Sequence, residues 1–322
     1  MTEPFRSVAQ RGPQNDPSVR ATSVVASRLH SSSFTPASEK IDEKQVQIQE
    51  FCRFLAREWR GSRHHSYAVP SRGKLSAWSR RVEGKWSAYG LADAVSKYAW
   101  NGKSFLENKI ELDGMAANLQ SAIQRNSNND VCKTIWAIMH WGAVDNKHRQ
   151  KGTFEWIERN VDGISTKLSN AVDLIKDAQA SLDPFDGANL IMNSTMTKIV
   201  SLADPEQKVA IYDGRVAAAL GFFLARFTEE LEIHQHDLAE QLLFAVDREA
   251  KRSPETNRIH FPALFGKARD RCHALMVRSA SQIIWQVAKD CQASPREIEA
   301  ALFMWGYKVA EEQGLPDSTT VY

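Results

Sequence analysis

Apolar residues recur at intervals of three and four positions through most of the chain after residue 40, and this spacing predicts amphipathic helices. The stretch IDEKQVQIQEFCRFLAREW, residues 41–59, places Val46, Phe51 and Leu55 near one helical face. Further helices are predicted in KSFLENKIELDGMAANLQSAIQ, DVCKTIWAIMHWG, VDGISTKLSNAVDLIKDAQ, HDLAEQLLFAV and ARDRCHALMVRSASQIIWQVAKD. No run alternates with period two over a strand length, and tight hairpin turn pairs are absent. The pattern predicts an all-α protein of about ten helices in two intimate lobes.

Local composition marks where the helical part begins and where its last helix starts. Residues 1–40 are rich in Ser, Thr, Pro and Arg, so we expect a disordered tail, followed by a helical domain over residues 41–322. Near the other end, Ser294 and Glu297 form the pattern of a capping box, with Pro295 in the first turn. This pattern predicts a helix that begins at Pro295.

Composition excludes several classes of protein. Among 322 residues, 43% are hydrophobic and 25% are charged, and no apolar run approaches the roughly 20 residues of a membrane helix. The four cysteines are widely separated, and no histidine pair has HExxH spacing, so we expect neither a metal site nor a cofactor. His234 and His236 are interpreted as a loop or cap pair. The first residues lack the apolar core of a secretory signal, which favours the cytoplasm.

Positive charge is concentrated in RGSRHHSYAVPSRGKLSAWSRRVEGKW, residues 60–86, although the formal net charge of the chain is only +2. Lysine and arginine neutralise phosphates, and interleaved aromatic side chains can stack on bases. The stretch therefore favours contact with nucleic acid, through Arg72, Lys74, Arg80 and Arg81. A solvated loop with structural tryptophans explains the same pattern equally well.

The segment TKIVSLADPEQKVAIYDGRV, residues 197–216, carries the candidate chemistry. Lys198 lies in a helical run, a turn containing Pro205 follows, and the apolar approach VAIY leads to Asp213 at the start of a new helix. Aspartate is a common N-cap, so Asp213 has a purely structural interpretation as well as a catalytic one. The chain has neither a Gly-rich phosphate loop nor a GxSxG elbow.

This order of helix, lysine, turn, apolar approach and aspartate resembles the core of the helix-hairpin-helix DNA glycosylase superfamily. The segments WGAVDN, residues 141–146, and PREIEAALFMWG resemble bacterial proteins with an 8-oxoguanine-glycosylase fold, including a phage-defence branch. The resemblance implies that Asp213 is the catalytic carboxylate and that Lys198 is a nucleophile. The interval between them is shorter than in the family, so Lys198 has a second interpretation as a helix residue facing phosphate or solvent.

The resemblance also implies residues for binding DNA and for holding a base. Asn193, Ser194 and Thr195 would cap the helix of Lys198 and contact phosphate, and Arg215 would contact phosphate or pair with an acid. An extruded base needs apolar and aromatic walls. The candidates are Trp141, Phe185, Tyr212, Trp305 and Tyr307, although aromatic residues at helical spacing more often belong to a core.

The sequence therefore leads us to expect a cytoplasmic, monomeric DNA glycosylase that acts on double-stranded DNA with a flipped base. Its base would be a modified phage cytosine, in antiviral defence, or an oxidised purine such as 8-oxoguanine, in base-excision repair. AP-lyase activity depends on the role of Lys198. The alternatives are a catalytically silent DNA-binding or adaptor protein, in which Asp213 serves only as an N-cap, and an N-glycosidase acting on RNA or a small molecule.

Overall fold

A computed structural model describes residues 43–69, 82, 84–142, 147–246, 249–263 and 269–310. These residues contain ten α-helices: α1 (Glu43–Arg60), α2 (Gly90–Ser96), α3 (Phe105–Gln124), α4 (Asn128–Gly142), α5 (Lys147–Arg159), α6 (Ile164–Lys176), α7 (Met196–Ala203), α8 (Gly214–Glu230), α9 (Arg269–Cys291) and α10 (Pro295–Trp305). The mostly helical class predicted from the sequence is confirmed.

The tail predicted at residues 1–40 lies outside the described residues. Within the described ranges, every helix falls short of the length or apolarity that crossing a bilayer requires.

Two short strands correct the expectation that the chain lacks β-structure. β1 (His64–Ala68) pairs antiparallel with β2 (Lys85–Tyr89), and their inward-facing residues alternate with outward-facing ones. The rings of Tyr67 and Trp86, which are opposite each other, stack at 4.8 Å. The signal is weak in the sequence because each strand has only five residues. Moreover, the strands are separated by a long segment rather than by a two-residue turn.

The helix predicted in HDLAEQLLFAV, residues 236–246, is also wrong. This segment contains only two single-turn 3₁₀ helices, Gln235–Asp237 and Glu240–Leu242. Its backbone groups bind distant partners instead: the Ala239 amide donates to the Gln47 side chain, and the Ala245 carbonyl accepts the Tyr212 hydroxyl. Tertiary hydrogen bonds and burial of the apolar side chains here override a helical pattern.

Capping boxes define the starts of two helices that line the candidate site. At α3, the Ser104 hydroxyl accepts from the Glu107 amide, and the Glu107 carboxylate accepts from the Ser104 amide. At α10, Ser294 and Glu297 form the same reciprocal pair and Pro295 occupies the first position, as the sequence predicts. Each box satisfies backbone donors that a helix start leaves unpaired.

Helix α8 is the centre of the core. Nearly all of its residues from Arg215 to Thr228 are buried, as expected for a helix that is apolar on all sides. Helix α10 packs against α2, α8 and α9, while α7 packs against α3, α4 and α6. The chain after α10 approaches α8 so closely that a Cβ on Gly306 would lie 1.8 Å from the Arg215 carbonyl oxygen. The described residues all belong to one contact unit, within which no lobe boundary is found.

Candidate active site

Asp213 is the N-cap of α8, as one interpretation of the sequence predicts. Its backbone is extended, and its Oδ1 accepts hydrogen bonds from the amides of Arg215 at 2.9 Å and Val216 at 3.1 Å. The other carboxylate oxygen, Oδ2, lies 3.9 Å from the Lys198 Nζ. One carboxylate therefore caps a helix with one oxygen and faces an amine with the other.

Lys198 lies on α7, a helix whose eight residues are all buried. Its Nζ donates to the Ser194 carbonyl at 2.6 Å, and only 8% of the residue is exposed. Burial lowers the pKa of Lys198 below its ordinary value, although the negative charges of Asp213 and Glu299 oppose this change. This shift increases the share of the neutral amine, which is the nucleophilic form of lysine.

Gly142, the last residue of α4, makes room for the Lys198 side chain. A Cβ added to this glycine would lie 2.6 Å from the Lys198 Cδ and 3.0 Å from its Cε. Real Cβ atoms do not approach other atoms so closely, so only glycine fits here without moving the lysine. The end of α4 and the first turn of α7 thus position the amine together.

The segment between α7 and α8 is held by side chains on both sides. Thr197 donates to the Ala210 carbonyl at 3.2 Å and accepts from the Tyr212 amide at 2.9 Å. The Asp204 carboxylate accepts from the amides of Lys208 at 2.6 Å and Val209 at 3.0 Å. These bonds fix the chain that leads to Asp213, and preorganised groups of this kind stabilise charge without reorganisation.

A second charged pair lies beside the first, and the sequence interpretation missed it. Arg296 Nη1 contacts both carboxylate oxygens of Glu299 at 3.1 and 3.0 Å, and Glu299 Oε2 also accepts from the Ile211 amide at 2.7 Å. Burial raises the pKa of Glu299, while Arg296 opposes the rise. A signal was available, because Arg296, Glu299 and Phe303 share one face of α10 and combine charge with apolar surface.

These residues line a small pocket with a cavity volume of about 50 Å³. Its walls are aromatic and come from α10, from the end of α4 and from the chain between α2 and α3: Tyr98, Trp100, Phe105, Trp141 and Phe303. The Trp100 and Phe303 rings meet edge to face at 5.4 Å. Trp141 Nε1 donates to Asn108 Oδ1 at 2.9 Å, which fixes that indole. The pocket combines an apolar enclosure with two charged pairs.

The predicted pocket walls are brought together only in part. Trp141 lines the pocket, whereas Phe185, Tyr212 and Trp305 are fully buried in the core. The Tyr212 hydroxyl donates to the Ala245 carbonyl at 2.7 Å, and the Trp305 ring stacks on His65 at 4.7 Å. Tyr307 is also in the core. The prediction that these four residues line the pocket is therefore wrong, because their large aromatic side chains fill the interior instead.

Arg215 does not face a surface where phosphate could bind. It is buried, and its guanidinium lies 4.3 Å from the Phe303 ring centroid and 4.9 Å from that of Tyr307. Burial lowers the pKa of Arg215, and the nearby Arg252 acts in the same direction. The predicted phosphate contact is corrected accordingly. Arg215 supports the pocket wall from behind through cation–π contacts.

The three polar residues before α7 have different environments. Asn193 Oδ1 accepts from the amides of Thr195 at 2.9 Å and Met196 at 3.0 Å, whereas Thr195, at the N-cap position of α7, makes no side-chain cap bond. Ser194 is exposed and offers its carbonyl to Lys198, and Thr195 is half-buried. Arg72, Lys74, Arg80 and Arg81, which were predicted to contact DNA, lie outside the described residues.

No family model matches the chain, and no curated protein or solved structure is found to be similar to it. Among the residues that the structure describes, no three His, Cys, Asp or Glu side chains converge on a common metal position. The geometry of the pocket is therefore the basis for assigning a function.

Proposed function

We propose that this protein is a DNA glycosylase that takes a flipped base into the pocket beside Lys198 and Asp213. The observation that carries the proposal is a buried lysine with a lowered pKa, 3.9 Å from a carboxylate, in an aromatic enclosure. Perturbed titratable pairs in a pocket are typical of catalytic sites. The resemblance of residues 197–216 to the helix-hairpin-helix glycosylases supports the same chemistry.

Each partner has a distinct task in this reaction. Breaking an N-glycosidic bond leaves positive charge on the sugar, and the Asp213 Oδ2 is available to stabilise that charge. The neutral Lys198 amine bonds to the sugar carbon as the base leaves with the electrons of the N-glycosidic bond and takes up a proton that the amine releases. Opening of the sugar ring gives a Schiff base, and elimination of the 3′ phosphate from it cleaves the strand. Asp213 is already oriented by its cap bonds, so the carboxylate needs little rearrangement during the reaction.

The pocket walls supply the contacts that base extrusion requires. Taking a nucleotide out of the stack costs a few kcal/mol, and stacking on aromatic and apolar side chains offsets this cost. Trp100, Trp141 and Phe303 present such surfaces next to the charged pairs. We propose two base classes, a modified phage cytosine and an oxidised purine, with antiviral defence as the role of the first and repair as the role of the second.

Incubation with DNA of each class tests the proposal. One substrate is DNA from a phage with modified cytosines, the second is a duplex with a single 8-oxoguanine, and an unmodified duplex is the control. Abasic sites are then counted. Products from the first substrate alone favour defence, and products from the second alone favour repair. Wild-type protein that releases no base from either substrate contradicts the proposal.

Borohydride trapping tests the nucleophile separately, because it reduces a Schiff base to a stable protein–DNA adduct. Lys198→Ala abolishes the adduct if Lys198 is the nucleophile. Lys133→Ala is the matched control, since the Lys133 side chain is 77% exposed on α4 and pairs with Asp130. Abasic sites without any adduct would show that water is the nucleophile, and the proposal for Lys198 would then fail while that for Asp213 stands.

The second candidate is a DNA-binding or adaptor protein without catalysis, and the cap bonds of Asp213 favour it. Asp213→Asn separates the two functions. Asparagine is as good an N-cap as aspartate, so the melting temperature should hold. Loss of the charge should reduce base release by on the order of 10²–10³-fold if the carboxylate stabilises the transition state. Unchanged base release in Asp213→Asn would refute the catalytic role of this residue.

A further inference from the structure

The hydroxyl of Tyr98 is a polar group in the pocket with no partner in the described part of the chain. Tyr98 is 8% exposed, and its ring lies edge to face with Phe105 at 6.0 Å and tilted against Phe303 at 5.9 Å. Burial raises the pKa of Tyr98, and the charge of Glu299 acts in the same direction, so the hydroxyl keeps its proton. Tyr98 therefore presents a hydrogen-bond donor to the pocket.

Arg296 presents further donors at the same place. A guanidinium has five N–H groups, and here only Nη1 is engaged, by the Glu299 carboxylate. Its Nε and Nη2 form no hydrogen bond with the residues that the structure describes, although the side chain is only 9% exposed. Neither nitrogen is among the fully buried, unpaired side-chain atoms of the described residues, so both remain accessible to water or to a ligand.

Most other polar groups of the pocket are already engaged, and the remaining carboxylate oxygen, Asp213 Oδ2, faces the Lys198 amine at 3.9 Å. Asn108 donates to the Trp100 carbonyl at 3.0 Å and accepts from Trp141 Nε1 at 2.9 Å. The Lys198 amine donates to the Ser194 carbonyl, and Asp213 Oδ1 is used by the cap of α8. What remains beside Tyr98 and Arg296 is a surplus of donors, which is complementary to an acceptor on the ligand.

We infer that Tyr98 and Arg296 bind a carbonyl oxygen of the ligand, so that the pocket selects lactam-type bases over bases with an amine at that position. This inference rests on the proposed function for the statement that the ligand is a flipped base. An amine would place its own donors against these donors and could not pair with them, and sites built to hydrogen-bond one ligand group discriminate against analogues that lack it. Both residues are assigned as specificity-determining residues and take no part in bond breaking.

Binding of free bases tests the inference without any catalytic step. Hypoxanthine and adenine are a matched pair that differs at C6, a carbonyl in the first and an amine in the second, and at the adjacent N1, which carries a hydrogen only in hypoxanthine. Binding is followed by calorimetry and by tryptophan fluorescence, because Trp100 and Trp141 line the pocket. We expect hypoxanthine to bind the wild-type protein at least about 10-fold more tightly than adenine.

Tyr98→Phe removes the hydroxyl and keeps the ring. It should weaken hypoxanthine binding roughly 3- to 10-fold and leave adenine binding unchanged, which reduces the selectivity. Arg296→Lys keeps a positive charge next to Glu299 but removes the planar set of donors, and should have the same effect. Tyr89→Phe is the control, since Tyr89 is 60% exposed and does not line this pocket.

Three results would overturn the inference: adenine binding as tightly as hypoxanthine, no detectable binding of hypoxanthine at millimolar concentration, or an unchanged selectivity in both variants. The test is independent of the proposed function. Carbonyl selectivity that depends on Tyr98, in a protein that releases no base from DNA, would uphold this inference and refute the glycosylase proposal. Base release from DNA without carbonyl selectivity would support the glycosylase proposal and refute this inference.

Discussion

Gly142→Ala is the sharpest single test of the position of Lys198, because the substitution adds one methyl group directly against its side chain. The new Cβ would lie 2.6 Å from the Lys198 Cδ, and ordinary van der Waals contact begins at 3.4 Å, so the lysine must retreat by about 0.8 Å. Misplacing a catalytic group by about 1 Å can cost on the order of 100-fold in rate. We therefore expect roughly a 10- to 100-fold slower formation of the borohydride-trapped adduct.

Although adduct formation should become slower, the free energy of unfolding of Gly142→Ala should stay the same or increase. Glycine in a helix is less favourable than alanine by roughly 0.5–1 kcal/mol, and Gly142 lies at the end of α4. The free energy of unfolding of Gly142→Ala, measured with urea, should be similar to that of the wild type. Gly114→Ala on α3 is the matched control, since nothing lies within 4 Å of its Cβ position. It should gain stability and keep the wild-type rate of adduct formation.

A rate equal to the wild type in Gly142→Ala, with the fold intact, would refute the reasoning. It would mean that the Lys198 amine either is not the group that reacts or reaches the sugar from a different position. An equal loss of rate in Gly142→Ala and Gly114→Ala would point to a general effect on helices. Loss in Gly142→Ala alone locates the effect at the lysine.

Two further predictions concern pH and stability. Lys198→Met should raise the free energy of unfolding at pH 7, because burial lowers the pKa of Lys198 and the unfolded state therefore binds the proton more tightly. A fall in the free energy of unfolding would contradict this. Burial lowers the pKa of His273 from 6.5 to about 4. Wild-type stability should therefore decrease by roughly 3 kcal/mol, relative to His273→Gln, as the pH falls from 6.5 to 4. Urea titrations at each pH measure both effects. If the free energy of unfolding depends on pH in the same way in the wild type and in His273→Gln, the prediction for His273 is wrong.

The helices were predictable where local signals agree with the environment. Ser294, Pro295 and Glu297 specify the start of α10 through backbone chemistry alone, and the structure has the cap that they predict. The strands at His64–Ala68 and Lys85–Tyr89 were not predictable in this way, because their pairing is non-local. Residues 236–246 illustrate the same limit, since their hydrogen-bond partners lie on other elements.

The sequence predicted the site residues that lie close together in the chain. It did not predict those that come from a distant helix. Asp213 as an N-cap follows from local sequence, and its proximity to Lys198 agrees with the order of elements between residues 197 and 216. Arg296 and Glu299 come from a helix more than eighty residues later along the chain. Tyr212 and Trp305 were chosen for their residue type, which does not distinguish a pocket wall from a core, and burial decides between the two.

The close approach at Gly306 has a consequence for how the pocket admits its ligand. Since backbone meets backbone there, α8 and α10 are held in register, and Asp213 at the start of α8 keeps its position relative to Arg296 and Glu299 on α10. If the pocket widens for a bulkier base, the movement must come from the wall opposite α10. Tyr98, Trp100 and Phe105 form that wall, between the end of α2 and the start of α3.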